Sequence, residues 1–255
     1  MKIAFNSANL VGRVSGYRFK LADWMQQHQR TVRGTDAEAF AAVCREIAET
    51  GFRAVELWQA LADPSVMTEE RAREWRAIMA DHSLEPIAYG GYIGTGAERV
   101  APWLGIETIN GGFNLKPDEA TELCRRHAVR CNFENHPQKT TDEILAPIGG
   151  GNEWLGVCVD TGWLGTQGVD APETIRKLGP LVRHVHVKDV KAAGRHDTCN
   201  LGEGVVDVAG CLRALRDVGY DGWLAWEDEP EDRNPLEAAA ANLAWLEREL
   251  SELGA

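Results

Sequence analysis

Short apolar runs alternate along this chain with longer stretches in which apolar residues recur every three or four positions. The short runs read IAFN, FRAVELW, EPIAYGG, IETINGG, CNFENH, LGVCVD, RHVHVKD and WLAWEDE, and their length and β-branched content predict strands. Between them lie DAEAFAAVCREIAETG, TEERAREWRAIMADHS, GAERVAPWLG, PDEATELCRRHAVR, TDEILAPIGG, DAPETIRKLG, VDVAGCLRALRDVG and NPLEAAAANLAWLERELSEL, whose spacing predicts helices. Several of these open on Asp, Thr or Asn and close on Gly, as at Gly51, Gly179 and Gly219. Strict alternation of eight strands with eight helices predicts right-handed crossovers that close a (β/α)8 TIM barrel. An open doubly wound sheet is disfavoured, because neither GxGxxG nor GxxxxGK[ST] opens the first unit.

The 255 residues suit one such barrel, so a single domain over 1–255 is expected. With 39 acidic against 27 basic residues the net charge is −12, which disfavours nucleic acid and anionic membrane as partners. No apolar run is long enough to span a bilayer and MKIAFNSANL lacks the features of a secretory signal, so a cytoplasmic location is expected. The six cysteines show no CxxC pairing and read as small buried hydrophobes; Cys199, in the polar stretch after HVHVKD, is the one placed to approach a site.

Four of the strand runs end in groups that ligate metals: Glu134, Asp160, His186 and Glu227. A strand packed between a barrel interior and a helix layer should be apolar, since an unpaired buried carboxylate costs several kcal/mol. Alternation along each strand turns Asn132, Glu134 and His136, Cys158 and Asp160, His184 and His186, and Ala225, Glu227 and Glu229 inward. The four candidates then meet at the carboxyl ends of the strands, where barrel active sites are built. Three oxygens and one imidazole suit a divalent cation, Mn²⁺ ahead of Mg²⁺, Co²⁺ or Zn²⁺. Glu134, Glu227 and His136 are the candidate bases. Lys188, Trp163 and His184 are candidates to hold substrate, with an ion pair from Lys188 to Asp189 or Glu203 as the structural alternative.

Two irregularities modify the barrel. Residues 7–35 exceed an ordinary βα loop and read as a lid over the mouth, or as a surface insertion. The third unit is short, leaving a flank that a large substrate, a second copy or a small second subunit could complete.

EN-x-P after the fifth strand, DTGW after the sixth, HVHVKD, LGEGVVD and W-x-x-E-x-E together resemble the sugar phosphate isomerase/epimerase superfamily, whose barrels are xylose isomerase-like. The similarity runs through the whole chain and is most specific from Phe133 to Glu231. It implies a divalent ion on Glu134, Asp160, His186 and Glu227, and isomerisation or epimerisation of a keto-sugar or cyclitol. Ketose 3-epimerases of that superfamily carry a His and an Arg where this chain has Trp163 and Ala192, so its substrate recognition differs. ENHP, DTGWLGTQG and HDTCNLGEGVVD also resemble the metal-binding subunits of enzymes that cleave 3-oxo-glycosides by β-elimination, which would make His136 the base. A lyase acting on a 3-oxo-glycoside or an inosose is therefore the alternative, followed by a carbohydrate-binding barrel without catalysis. An apurinic-site endonuclease shares this barrel but needs more histidines at strand ends and a less acidic surface.

Overall fold

The computed structural model describes residues 1–254 as a closed ring of eight parallel strands. They are β1 (Lys2–Asn6), β2 (Ala54–Trp58), β3 (Glu85–Tyr92), β4 (Thr108–Gly112), β5 (Arg130–Glu134), β6 (Leu155–Asp160), β7 (Val182–Val187) and β8 (Trp223–Trp226). Each pairs with its sequence neighbours, and β8 closes on β1 with Phe5 opposite Trp226. The eight expected strands are all present, and the fold is the TIM barrel.

The helix layer is richer than alternation predicts. Ten α-helices occur among the described residues: α1 (Trp24–Gly34), α2 (Ala37–Glu49), α3 (Glu69–Asp81), α4 (Ala97–Trp103), α5 (Pro117–His127), α6 (Thr141–Leu145), α7 (Thr161–Thr166), α8 (Ala171–Leu178), α9 (Val208–Asp217) and α10 (Leu236–Leu253). The first and sixth units each carry two. The extra helix of the sixth unit, α7, starts directly at the strand end because Asp160 caps it, accepting from the Trp163 amide at 2.8 Å.

The other extra helix corrects the reading of residues 7–35 as an extended loop. Ser7–Ser15 is a 3₁₀ helix buried over its first six residues, and Trp24–Gly34 is α1. Asn6 starts the turn by accepting from the Ala8 amide at 3.0 Å. The third unit is short as expected, with only seven residues in α4. All six cysteines are free and buried, including Cys199, which lies in a two-stranded ribbon formed by Asp189–Val190 and Thr198–Cys199. No helix of the described residues is long and apolar enough to cross a membrane.

Packing between helices and barrel follows the apolar stripes. On α2, Phe40, Val43, Cys44 and Ile47 are buried, and Phe40 stacks on Trp75 of α3 with centroids 4.7 Å apart. The Trp75 indole N–H reaches the Leu61 carbonyl at 2.8 Å, so the stack also anchors the chain after β2. Phe40 is fully buried. Phe40→Ala should therefore cost about 3–5 kcal/mol by loss of burial and creation of a cavity, read as a lower midpoint of chemical denaturation.

Candidate metal centre and active-site cavity

Glu134, Asp160 and His186 sit at the mouth ends of β5, β6 and β7, and Glu227 directly follows β8, its amide bonded to the Val187 carbonyl at 3.0 Å. One donor atom from each of the four lies within 4.8 Å of the others. His186 Nδ1 is 2.6 Å from Glu134 Oε1 and 2.7 Å from Glu227 Oε2. Asp160 divides its carboxylate: Oδ1 caps α7, while Oδ2 is buried and pairs with Lys188 Nζ at 3.0 Å. Asn135 holds the β5 and β6 tips together by pairing with the Asp160 backbone at 2.9 and 3.0 Å.

The electrostatics call for a cation. Asp160, Glu227 and Glu229 converge on one permanently charged amine, that of Lys188, while Glu56 and Glu134 face His186. Burial works to lower the pKa of His186, yet the surrounding Cys158, Glu56, Glu134 and Glu227 hold it well above that of a free imidazole. Burial likewise works against ionisation of Glu227, but Lys188 and His186 outweigh it and keep that carboxyl well below its usual range. Three carboxylates and an imidazole, each with a donor atom within 4.8 Å of the others, fit a divalent metal ion. The same set accepts any of Mn²⁺, Mg²⁺, Co²⁺ or Zn²⁺.

Two of the candidate substrate-holding residues lie elsewhere than expected. Lys188 is fully buried, with Nζ 2.5 Å from Glu227, 2.9 Å from Glu229 and 3.0 Å from Asp160; its partners are neither Asp189 nor Glu203. A buried ammonium demands such pairing, which leaves it nothing to offer a ligand. Asp189 instead accepts the amides of Gly202, Gly204 and Val206 at 2.9–3.1 Å and holds the loop before α9. His184 lies below the cavity, Nε2 2.7 Å from Glu56. The third, Trp163, does face the cavity, as does the candidate base His136. His136 lies with Nε2 3.5 Å from Glu134, and Trp163 packs edge-on against its ring at 4.9 Å.

Glu56 escaped the sequence reading. Fully buried in β2, its Oε2 lies 3.1 Å from His186 Nε2, and its Oε1 accepts from Asn110 at 3.0 Å. With Nε2 facing Glu56, Nδ1 is turned toward Glu134 and Glu227, the orientation a carboxylate imposes on a ligating histidine. The signal was present in FRAVELW: a lone acid inside an apolar strand, at inward parity. Asn6 was also missed; it donates to Glu227 Oε2 at 2.8 Å.

These groups form the floor of a cavity of about 850 Å³. Gly90, Gly91 and Gly111 at the tips of β3 and β4 open one wall. At Gly111, φ is +145° and a Cβ would meet the Gly91 carbonyl oxygen at 2.2 Å, so no side chain fits between the two tips. Helix α1 forms a further part of the wall, contributing Trp24, Met25 and His28.

An eight-stranded barrel with a four-residue metal-type constellation at its carboxyl-terminal mouth defines the class of protein. The chain belongs to the Xylose isomerase-like TIM barrel family, whose model matches residues 116–249. The inosose dehydratase of Klebsiella pneumoniae is 29% identical over 159 residues, covering 52% of this chain and 51% of that protein. The chain spans about half the length, or less, of the curated relatives it matches. Among solved structures, the probable 3-DHS dehydratase AsbF of Bacillus anthracis superposes with a TM-score of 0.67 at 18% identity, covering 97% of this chain and 99% of that one. A D-tagatose 3-epimerase-like protein gives 0.69 at 17% identity over 100% of this chain and 98% of its own.

Asp160→Asn and His186→Ala should each reduce the divalent metal retained by purified protein, measured by elemental analysis. Glu56→Gln should weaken binding about 10–100-fold in calorimetric titration, the range typical of partners that orient a ligating histidine.

Proposed function

We propose that this protein is a divalent-metal-dependent carbohydrate lyase that removes a proton next to a carbonyl of a keto-sugar or cyclitol and expels the substituent on the next carbon as water or an alcohol. The observation that carries the reading is the asymmetry between its two candidate acidic bases. Glu227 is saturated: Oε1 is 2.5 Å from Lys188 Nζ and Oε2 accepts from Asn6 at 2.8 Å. A carboxylate so stabilised is a poor proton acceptor. Glu134 and its neighbour His136 line the cavity together, and the His136 side chain is 36% exposed to it. One face of a bound substrate thus meets base candidates, and the other does not.

A divalent ion on Glu134, Asp160, His186 and Glu227 would supply electrophilic stabilisation of the negative charge that develops on the carbonyl oxygen. His136 or Glu134 takes the α-proton. The C–H electron pair becomes the new C=C bond as the β C–O bond breaks, and the departing oxygen leaves with the proton that the base has taken, which restores the base. Trp163 offers an aromatic face beside His136 against which a sugar ring can lie. The dehydratase among its sequence relatives supports the same outcome. Isomerisation or epimerisation is the leading expectation from the sequence; epimerisation requires a base on each face, and Glu227 is badly suited to be the second. Isomerisation by a single base on one face is the remaining alternative.

Incubation with inososes, other keto-sugars and 3-oxo-glycosides in D₂O, followed by NMR, tests the proposal. Elimination predicts an unsaturated ketone and free water or aglycone. Deuterium next to the carbonyl with substrate mass otherwise conserved would instead establish isomerisation or epimerisation. His136→Asn should lower exchange and turnover by about 10²–10⁴-fold with metal content unchanged. Unaltered turnover would move the role of base to Glu134.

A further inference from the structure

The cavity is larger than the proposed reaction needs. About 850 Å³ lies near the upper end of the range of roughly 300–1,000 Å³ typical of sites for drug-sized ligands, more than a single sugar ring fills. Its character also changes with depth. The floor is polar and buried. The rim carries Met25, Val66 and Tyr92, at 62%, 42% and 55% exposure three of the five large hydrophobic residues exposed among those described. Trp24 and Trp58 lie just inside, edge to face at 5.5 Å. Water-facing apolar side chains gathered at one cavity mouth mark a place where an apolar group is bound.

A polar pair is set into this apolar wall. His28 Nε2 of α1 lies 3.0 Å from Asp63 Oδ2, and the His28 ring stands edge-on to Trp58 at 5.5 Å. Asp63 also accepts from the Ser65 amide at 2.9 Å and from the Ser65 hydroxyl at 2.5 Å. Despite burial, the hydrogen bonds from Ser65 and His28 keep its carboxyl below the usual range. An ionised carboxylate only accepts, so Nε2 donates to Asp63 and the Nδ1 edge is left for another polar partner. A wall of aromatic rings with one oriented imidazole edge matches a planar aromatic ring bearing a hydroxyl group, which can both donate and accept.

We propose that this outer half of the cavity is a binding subsite for a hydroxylated aromatic substituent, so that the substrate is an aryl glycoside or similar aromatic conjugate of a sugar and not the free monosaccharide. The inference rests on the lyase reading for its leaving group, which would depart as the phenol. The subsite itself is a property of α1 and of the chain following β2, and it can be measured without turnover.

The test is calorimetric titration of metal-loaded protein with three unreactive ligands: methyl, phenyl and 4-hydroxyphenyl β-D-glucopyranoside. The two aryl glycosides should bind at least about tenfold more tightly than the methyl glycoside, a gain of the size stacked aromatic contacts supply. Val66→Asp and Trp24→Ala should erase that gain while leaving methyl glycoside affinity and metal content unchanged; Val66 is exposed, so its replacement does not threaten folding. His28→Ala should weaken the 4-hydroxyphenyl ligand about fivefold and the phenyl ligand little, which a purely structural His28–Asp63 contact would not do. Equal affinity for all three ligands, no saturable binding of either aryl glycoside, or equal weakening of every ligand by the variants would each overturn the subsite. Failure of the lyase reading is separable. An aryl preference in binding with no elimination from a 3-oxo-aryl-glycoside would refute the reaction and keep the subsite, whereas equal elimination rates from methyl and aryl 3-oxo-glycosides would do the reverse.

Discussion

An excess of buried negative charge at the carboxyl-terminal mouth of the barrel governs the rest of the site. Five carboxylates meet there around Lys188 and the His184–His186 pair, and the low-dielectric interior makes each uncompensated charge expensive. Much of the neighbouring sequence serves to compensate it. Gly162 at the start of α7 is one example: a Cβ there would lie 2.4–2.8 Å from the Lys188 stem, so glycine lets the ammonium reach its three partners. Asn6 and Asn110 extend the same service from β1 and β4, donating to Glu227 and Glu56. A divalent ion would complete the balance, so the donor set is better explained as a metal site than as a salt-bridge network.

The same compensation distributes the chemistry. Groups tied by Lys188, Asn6 and Glu56 are fixed in place and in protonation, which suits ligands and ill suits proton carriers. Glu134, paired with His186, and His136 are tied by none of those three groups, which suits the role of base proposed for them. On that proposal, selectivity between reaction types arises less from which acids are present than from how completely each is neutralised.

The parts of this arrangement that were legible in sequence share one property: each broke a strong local pattern. Glu134, Asp160, His186 and Glu227 each end an apolar run at matching parity, so four independent anomalies point to one place. Glu56 obeys the same rule but sits within FRAVELW on a distant strand, and a single acid there reads as ordinary. Lys188 shows the limit of parity, which gives the side a residue faces but not its depth; only the closed barrel reveals that three carboxylates surround its amine. Helix α1 was illegible for a different reason. Only Gln27 and Thr31 on it are buried, so no apolar stripe announces it, and its Trp, Met and His line a cavity.

That last point separates the two halves of the chain by task. The family model matches residues 116–249, a span that contains all four metal-type ligands together with His136 and Trp163. Trp24, His28, Trp58, Asp63, Val66 and Tyr92 lie outside it, on the units that shape the outer cavity. A barrel permits this division because each βα unit contributes one strand to a common core and an independent loop to a common mouth. The four metal-type ligands are positioned by mutual geometry across four adjacent strands, β5 to β8. The connections after β1 to β3 contribute no such ligand, and they supply the wall that the proposed outer subsite uses.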